Sequence, residues 1–208
     1  MAGTISDHDY RKLELSYQQL LTEKVEKETE NQISRDLCRT FPLHDYYKEG
    51  APGIEQMRRV LTAFANYDHQ VDYVQGMNFI VGALLYHANE VMAFWLFVSL
   101  IEDCEMRDIY MHGLPGLFKH SHIINTLVMD HLQELSEHFM EHTLRVEMYA
   151  SDWIFGLFAS VIPLEQMSSF FSKFYRYKWI FFYQLILSIL KFLEKELLQE
   201  DELWNILN

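Results

Sequence analysis

The sequence is poor in several residue types that mark particular classes of protein. Its 208 residues include two cysteines, four prolines and eight glycines. Two cysteines without CxxC spacing exclude a disulfide framework, and so little proline and glycine beside 50% hydrophobic residues excludes a disordered chain. We therefore expect a packed globular protein. The first residues lack the basic and apolar regions of a signal peptide, which favours a cytoplasmic location.

Positive charge is scarce as well. Lysine and arginine number 17 against 30 aspartates and glutamates, which gives a formal net charge of −13. Such a field repels phosphate backbones, so we expect no nucleic-acid partner. The longest apolar stretches, 91–101 and 179–192, are shorter than the run of about 20 apolar residues that a spanning helix needs. The sequence predicts no membrane span.

Apolar residues recur at helical spacing in the remaining chain. Met57, Val60, Leu61 and Phe64 follow the i, i+3, i+4, i+7 pattern of one buried helix face. No stretch alternates apolar with polar residues over strand length, and no Asn-Gly or Asp-Gly hairpin signal occurs. We predict an all-α fold with no sheet.

The first candidate site is the stretch ISRDLCRTFP at 33–42. Asp36 and Arg39 are three residues apart, so on a helix the carboxylate can hold the guanidinium in place. A structural role explains the pair equally well, because arginine in a last turn complements the helix dipole and Pro42 marks the end of a helix. Spacing alone leaves both interpretations open.

The second candidate is DYVQGMNFIVGALLY at 72–86. Asp72 is predicted to cap the N-terminus of the following helix, and Gln75, three residues on, to complete a capping box. Tyr73 between them is expected to be a half-buried aromatic residue. A purely structural explanation therefore exists for this stretch too.

A zinc site is a third hypothesis. The stretch HFMEH fits the HxxEH pattern, in which His138 and His142 bind Zn²⁺ and Glu141 acts as a base. A catalytic zinc needs a third protein ligand, and the nearest later carboxylates are expected to face solvent. We prefer the interpretation of solvated histidines on a helix.

Together, the first two stretches resemble the TBC-domain Rab GTPase-activating proteins. ISRDLCRTFP matches their IxxDxxR motif and the Thr-Phe-Pro after it, and YVQGMNF matches their YxQ motif and the Gly-Met-Asn after it, with the 33 residues of 40–72 between the motifs. The resemblance covers about 17–195. It implies a single domain over 1–208 with two helical lobes, an N-terminal lobe of about 1–107 that carries both motifs and a C-terminal lobe of about 108–208.

The resemblance also implies an activity and its residues. The family accelerates GTP hydrolysis on Rab-family small GTPases and so acts on another protein's active site rather than turning over a substrate of its own. By resemblance, Arg39 is an arginine finger and Gln75 a glutamine finger, both supplied in trans. Asp36 is expected to keep Arg39 extended, Ile33 to pack the helix that carries it, and Tyr73 to place Gln75.

No cofactor or metal of the protein's own is implied, because GTP and Mg²⁺ are carried by the partner GTPase. The absence of GxxxxGK[ST] and GxGxxG loops agrees with this. Any association with membranes is expected to run through partners. Two departures keep an alternative open: the family's upstream Arg-Trp motif has no match in 1–32, and Asp72 replaces a small residue. The alternative is a non-catalytic TBC-like module that binds a GTPase or other protein without activating it.

Overall fold

The computed structural model describes residues 6–48 and 50–200, and in these ranges the chain is helical without any strand. The predicted all-α fold is confirmed. The helices are α1 (Asp7–Leu20), α2 (Lys27–Leu37), η1 (Asp45–Tyr47, a 3₁₀ turn), α3 (Pro52–Tyr67), α4 (Met77–His87), α5 (Glu90–Asp103), α6 (Arg107–Tyr110), α7 (Pro115–His131), α8 (Gln133–Glu141), α9 (Val146–Gly156) and α10 (Leu164–Leu197).

Helices α3, α4 and α5 form the centre of the fold. Proline at the first position of α3 suits a helix start, because a backbone N–H at that position would have no intrahelical partner and its loss costs nothing. The predicted apolar face of α3, from Met57 to Phe64, is buried. Helix α4 contacts α2, α3, α5, α9 and α10. A helix surrounded in this way needs apolar residues on all sides, which explains the sequence NFIVGALL.

Helix α2 positions the first motif. Ile33 and Leu37 are buried against the core, and the helix packs on α3 and α4. It ends at Leu37, and Phe41 then adopts a left-handed backbone with φ 49°. Arg39 therefore lies just beyond the last turn of α2, where its side chain can extend from the surface into solvent. Ile33, which we expected to pack this helix, is 1% exposed.

Helix α10 is bent in its middle. Lys178 has non-helical backbone angles, φ 50° and ψ −137°. The residue after it, Trp179, donates an indole hydrogen bond of 2.9 Å to the Cys104 carbonyl and stacks on the His120 ring of α7 at 3.6 Å between centroids. The bend is thus fixed by contacts to two other parts of the chain.

Among the described residues, no helix is both long enough and apolar enough to cross a membrane. The division into lobes of about 1–107 and 108–208 remains a prediction, and residues 1–5, 49 and 201–208 of those lobes lie outside the described residues.

Candidate functional site

Asp36 and Arg39 form the pair that their spacing predicts. The Nε and Nη2 atoms of Arg39 donate to Oδ1 of Asp36 at 3.1 and 2.8 Å. The Asp36 side chain is 7% exposed and the Arg39 side chain is 53% exposed. A buried carboxylate thus holds an exposed guanidinium, so Arg39 keeps a defined direction while remaining accessible.

Tyr73 connects this pair to the second motif. Its hydroxyl donates to Oδ2 of Asp36 at 2.6 Å, so the two oxygens of Asp36 serve Arg39 and Tyr73 separately. Burial raises the pKa of Tyr73, and the hydrogen bond to Asp36 raises that pKa further. The phenol therefore stays neutral and remains a donor. The ring is 5% exposed, more deeply buried than the half-buried position that we expected.

Asn78 provides a second connection, which the sequence analysis missed. Its Oδ1 accepts from the Gly76 backbone N–H at 2.9 Å, and its Nδ2 donates to Thr40 Oγ1 at 2.7 Å. The Thr40 hydroxyl in turn donates to the Asp36 carbonyl at 2.6 Å. This fully buried network joins the residue after Arg39 to the residue after Gln75. A lone asparagine in an apolar helix was the available signal.

The predicted capping box of Asp72 and Gln75 is wrong. Helix α4 starts after Gly76, which has φ 108° and gives no side-chain cap. The Asp72 carboxylate instead accepts from the Thr29 hydroxyl at 2.7 Å and from the backbone N–H of the next residue at 2.7 Å. The left-handed backbone at Asp72, φ 55°, turns the chain before the helix begins. Gln75 is consequently exposed and has no capping role.

Gly76 also allows helix α9 to approach the second motif. A Cβ atom at this position would lie 2.8 Å from Cβ and 3.0 Å from the carbonyl oxygen of Phe155. Only glycine tolerates both this contact and the positive φ. The close approach places Phe155 beside Gln75, so a residue from the second half of the chain completes the surface around the motif.

Arg39 and Gln75 line the same open groove, of about 430 Å³. Its other lining residues combine apolar side chains with one carboxylate and one hydroxyl: Val74, Gly76, Phe79, Leu114, Asp152, Phe155 and Ser160. A second hollow of about 590 Å³ is lined by the same two residues together with Glu28, Gln32, Arg35 and Asp36. Arg39 and Gln75 therefore both line each of the two hollows. Asp72 lines neither hollow.

The zinc hypothesis finds no support in the geometry. The Nε2 atom of His138 lies 3.0 Å from the Glu200 carbonyl oxygen, a hydrogen bond that occupies this ring nitrogen. In residues 6–48 and 50–200, no three or more histidine, cysteine, aspartate or glutamate side chains are grouped so that they could hold a metal ion. The rings of His138 and His142, with centroids 4.5 Å apart, are half-buried rather than solvated.

The architecture is that of a TBC domain. It superposes with a TM-score of 0.77 on the crystal structure of the Chlamydomonas flagellar RabGAP TBC domain, at 30% sequence identity over 92% of this chain and 64% of that one. The sequence profile of the Rab-GTPase-TBC domain matches residues 3–198. The chain belongs to the RabGAP-TBC family, which confirms the resemblance seen in the two motifs.

Curated relatives show the same family at moderate identity. The human ecotropic viral integration site 5 protein homolog is 32% identical over 186 residues, which are 89% of this chain and 23% of the relative. The Caenorhabditis elegans Rab GTPase-activating protein tbc-11 is 30% identical over 174 residues, 83% of this chain and 19% of the relative. The chain spans about a fifth of the length of these relatives.

Proposed function

We propose that this chain accelerates GTP hydrolysis on a Rab-family GTPase, with Arg39 and Gln75 entering the partner's active site. The observation that carries the proposal is the shared position of these two side chains, which line the same open groove while Asp36 restrains the arginine. Family membership supports it, since one relative is named a Rab GTPase-activating protein.

Arg39 supplies positive charge to the transferring phosphoryl group. Negative charge spreads over the γ-phosphate oxygens during hydrolysis, and a planar, permanently charged guanidinium matches it. The bonds to Asp36 use Nε and Nη2, which leaves Nη1 for a phosphate oxygen. Because Asp36 already restricts the side chain, less entropy is lost on engagement. An arginine finger contributes a factor of about 10³ to 10⁵, or roughly 4 to 7 kcal/mol.

Gln75 orients the attacking water. Its amide can accept a hydrogen bond from the water and donate one to the phosphate, and neither role needs a charge. The apolar groove residues beside it, Phe79 and Phe155, exclude other water when a partner covers them. GTP and Mg²⁺ arrive with the partner in this mechanism.

Single-turnover hydrolysis on a panel of GTP-loaded Rab proteins tests the proposal. Arg39→Ala and Arg39→Lys are each expected to lower the stimulated rate at least about a hundredfold, since lysine cannot reproduce the planar fork. Gln75→Ala is expected to lower it by a similar order. The Gln75 side chain is exposed, so Gln75→Ala should melt close to the wild type. Arg39→Ala also removes a partner of the buried Asp36 carboxylate, so we expect it to lose about 1 to 3 kcal/mol of stability, and its rate is measured well below its melting temperature.

Arg11→Ala is the matched control, because Arg11 is an exposed arginine on α1, a helix that packs on α3 and α5 and lines neither hollow. Its rate should equal the wild-type rate. Equal stimulation by Arg39→Ala and wild type would refute the mechanism. A wild-type chain that binds GTP-loaded Rab and leaves its hydrolysis rate unchanged would instead establish the non-catalytic module.

A further inference from the structure

The groove that Arg39 and Gln75 line also holds a carboxylate. Asp152 on α9 is one of its lining residues and is exposed to solvent. Among the described residues that line this groove, Arg39 and Asp152 are charged and the others are neutral. The groove therefore presents a negative charge to any partner that covers it, on the same surface as the arginine that we assign to the phosphate.

Packing of α9 fixes the position of Asp152. Phe155 is three residues further along, so the two side chains share a face of the helix. The Phe155 carbonyl accepts a hydrogen bond of 2.6 Å from the Tyr110 hydroxyl, and Phe155 lies so close to Gly76 that a Cβ atom on the glycine would overlap it. The backbone that carries Asp152 is thus held against the residue that follows Gln75.

Asp152 has no counter-ion of its own in the described part of the chain. Within residues 6–48 and 50–200, no lysine, arginine or histidine forms an ion pair with it. Arg39, the cation of the same groove, is paired with Asp36 at 2.8 Å. In the free protein, water solvates the exposed carboxylate, so the missing counter-ion costs little.

A partner that covers the groove changes this balance. The apolar side chains that line the groove offer the carboxylate no hydrogen bond: Val74, Phe79, Leu114 and Phe155. A carboxylate that loses water without gaining a cation is strongly unfavourable. The γ-phosphate cannot supply this interaction, because it is itself negative. A positive group of the partner has to face Asp152.

We infer that Asp152 is a specificity-determining residue, which pairs with a lysine or arginine of the GTPase at the border of its nucleotide pocket. This inference rests on the proposed function, because that function brings the GTPase into the groove. A GTPase with such a cation gains an ion pair, whereas one with a carboxylate or an apolar side chain there is rejected. Asp152 contributes to the choice of partner, while Arg39 and Gln75 contribute rate.

The first test compares KM with kcat in multiple-turnover assays, using the GTP-loaded Rab protein that the wild type stimulates best. Asp152→Asn keeps the shape of the side chain and is expected to raise KM about tenfold, because the partner's cation loses its counter-ion. The kcat should stay within about twofold of wild type, since the pair acts on binding rather than on the chemical step. Added salt should raise KM more steeply for the wild type than for the variant, because salt screens the pair that the variant lacks.

Asp130→Asn is the matched control. Asp130 is an exposed aspartate on α7 that does not line the groove, and its substitution changes the net charge by the same amount. Its KM should equal that of wild type. A KM for Asp152→Asn within about twofold of wild type would overturn the inference. Equal increases in both variants would overturn it too, since they would report the net charge of the chain rather than one ion pair.

A second test identifies the cation on the partner. Surface lysines and arginines that border the nucleotide pocket, without touching the nucleotide, are replaced singly by glutamate. One replacement should raise KM for the wild type about a hundredfold, and Asp152→Lys should recover at least about tenfold of that loss by restoring opposite charges. If Asp152→Lys recovers none of the replacements, the ion pair does not exist.

Failure of the proposed function leads to a different readout. If the wild type stimulates no Rab protein, affinities of the same variants for GTP-loaded Rab are measured by calorimetry. Weaker binding by Asp152→Asn than by Asp130→Asn then supports the ion pair without catalysis. Equal binding by the two variants, or no wild-type binding at all, overturns it.

Discussion

The hydroxyl of Tyr73 donates a hydrogen bond of 2.6 Å to Oδ2 of Asp36, while Oδ1 of the same carboxylate holds Arg39. Tyr73, two residues before Gln75, therefore contacts the same carboxylate that holds Arg39. The two motifs act on each other through one carboxylate, although 33 residues of chain separate Arg39 from Tyr73.

Replacing Tyr73 by phenylalanine removes that hydroxyl and leaves the ring in place. Because Asp36 is buried and loses a partner, we expect the free energy of unfolding to fall by about 1 to 3 kcal/mol. Arg39 should be held less firmly, so kcat for stimulated hydrolysis should fall as well. Urea denaturation and saturating-partner assays measure the two effects.

Tyr175→Phe provides the comparison for the tyrosine variant. Its hydroxyl also donates a partly buried hydrogen bond, of 2.6 Å to the Leu96 carbonyl. Tyr175 lies in neither motif. Stability should fall while kcat is retained. Equal kcat for Tyr73→Phe and Tyr175→Phe would show that the phenol of Tyr73 does not position Arg39.

Gly76→Ala is expected to be harmful for two separate reasons. At φ 108° the new side chain is strained, by about 1 to 2 kcal/mol, and its Cβ meets Phe155 at 2.8 Å. Relieving the overlap costs about 1 to 3 kcal/mol more and should displace the neighbouring Gln75. Thermal melts and kcat are the measurements.

Gly113→Ala separates strain from overlap. Gly113 has φ 81°, and a Cβ there would meet nothing within 4 Å, so only the backbone strain applies. We expect the smaller loss of stability and full kcat. Similar losses for the two alanine variants would rule out the contact with Phe155 as the cause.

Stability is expected to decrease below neutral pH because of His120. Burial lowers the pKa of this imidazole from its ordinary value of 6.5 to about 4, and the positive charge of Lys119 adds a smaller lowering of the same pKa. As pH falls from 6.5 toward 4, the imidazole is therefore protonated in the unfolded chain but still neutral in the folded chain. Protonation stabilises the unfolded state, so the free energy of unfolding falls. The free energy of unfolding should therefore be about 2 kcal/mol lower at pH 5 than at pH 7.5 because of this group.

The His120→Phe variant isolates this effect, since it retains an aromatic ring to stack on Trp179 and removes the titrating group. The difference in unfolding free energy between wild type and variant should shift by about 2 kcal/mol between pH 7.5 and pH 5, measured in urea. A difference that is constant over this range would contradict the lowered pKa of His120.

The parts of the site that depend on local spacing could be predicted from the sequence. Arg39 and Asp36 are three residues apart, so their contact follows from helix geometry alone. The helical period likewise predicted the buried face of α3 and the all-α fold. The motifs then indicated Gln75, whose exposed position agrees with a role outside the protein.

The rest of the site depends on contacts between distant parts of the chain. Phe155 reaches the groove because Gly76 permits a close approach of α9, and no local pattern reveals which residue will fill such a space. The capping box failed for a related reason. The spacing of Asp72 and Gln75 matches a capping box, but the Asp72 carboxylate instead accepts a hydrogen bond from the hydroxyl of Thr29, 43 residues earlier. The helix also starts later than predicted, after Gly76 with its positive φ.

The hydrogen bonds from Thr40 through Asn78 to Gly76 have a consequence for how far the length of the chain between the motifs can vary. Side-chain bonds in the core, rather than the length of the connecting chain, set the spacing of Arg39 and Gln75. We therefore expect a change in the length of the connection between η1 and α3 to leave that spacing intact.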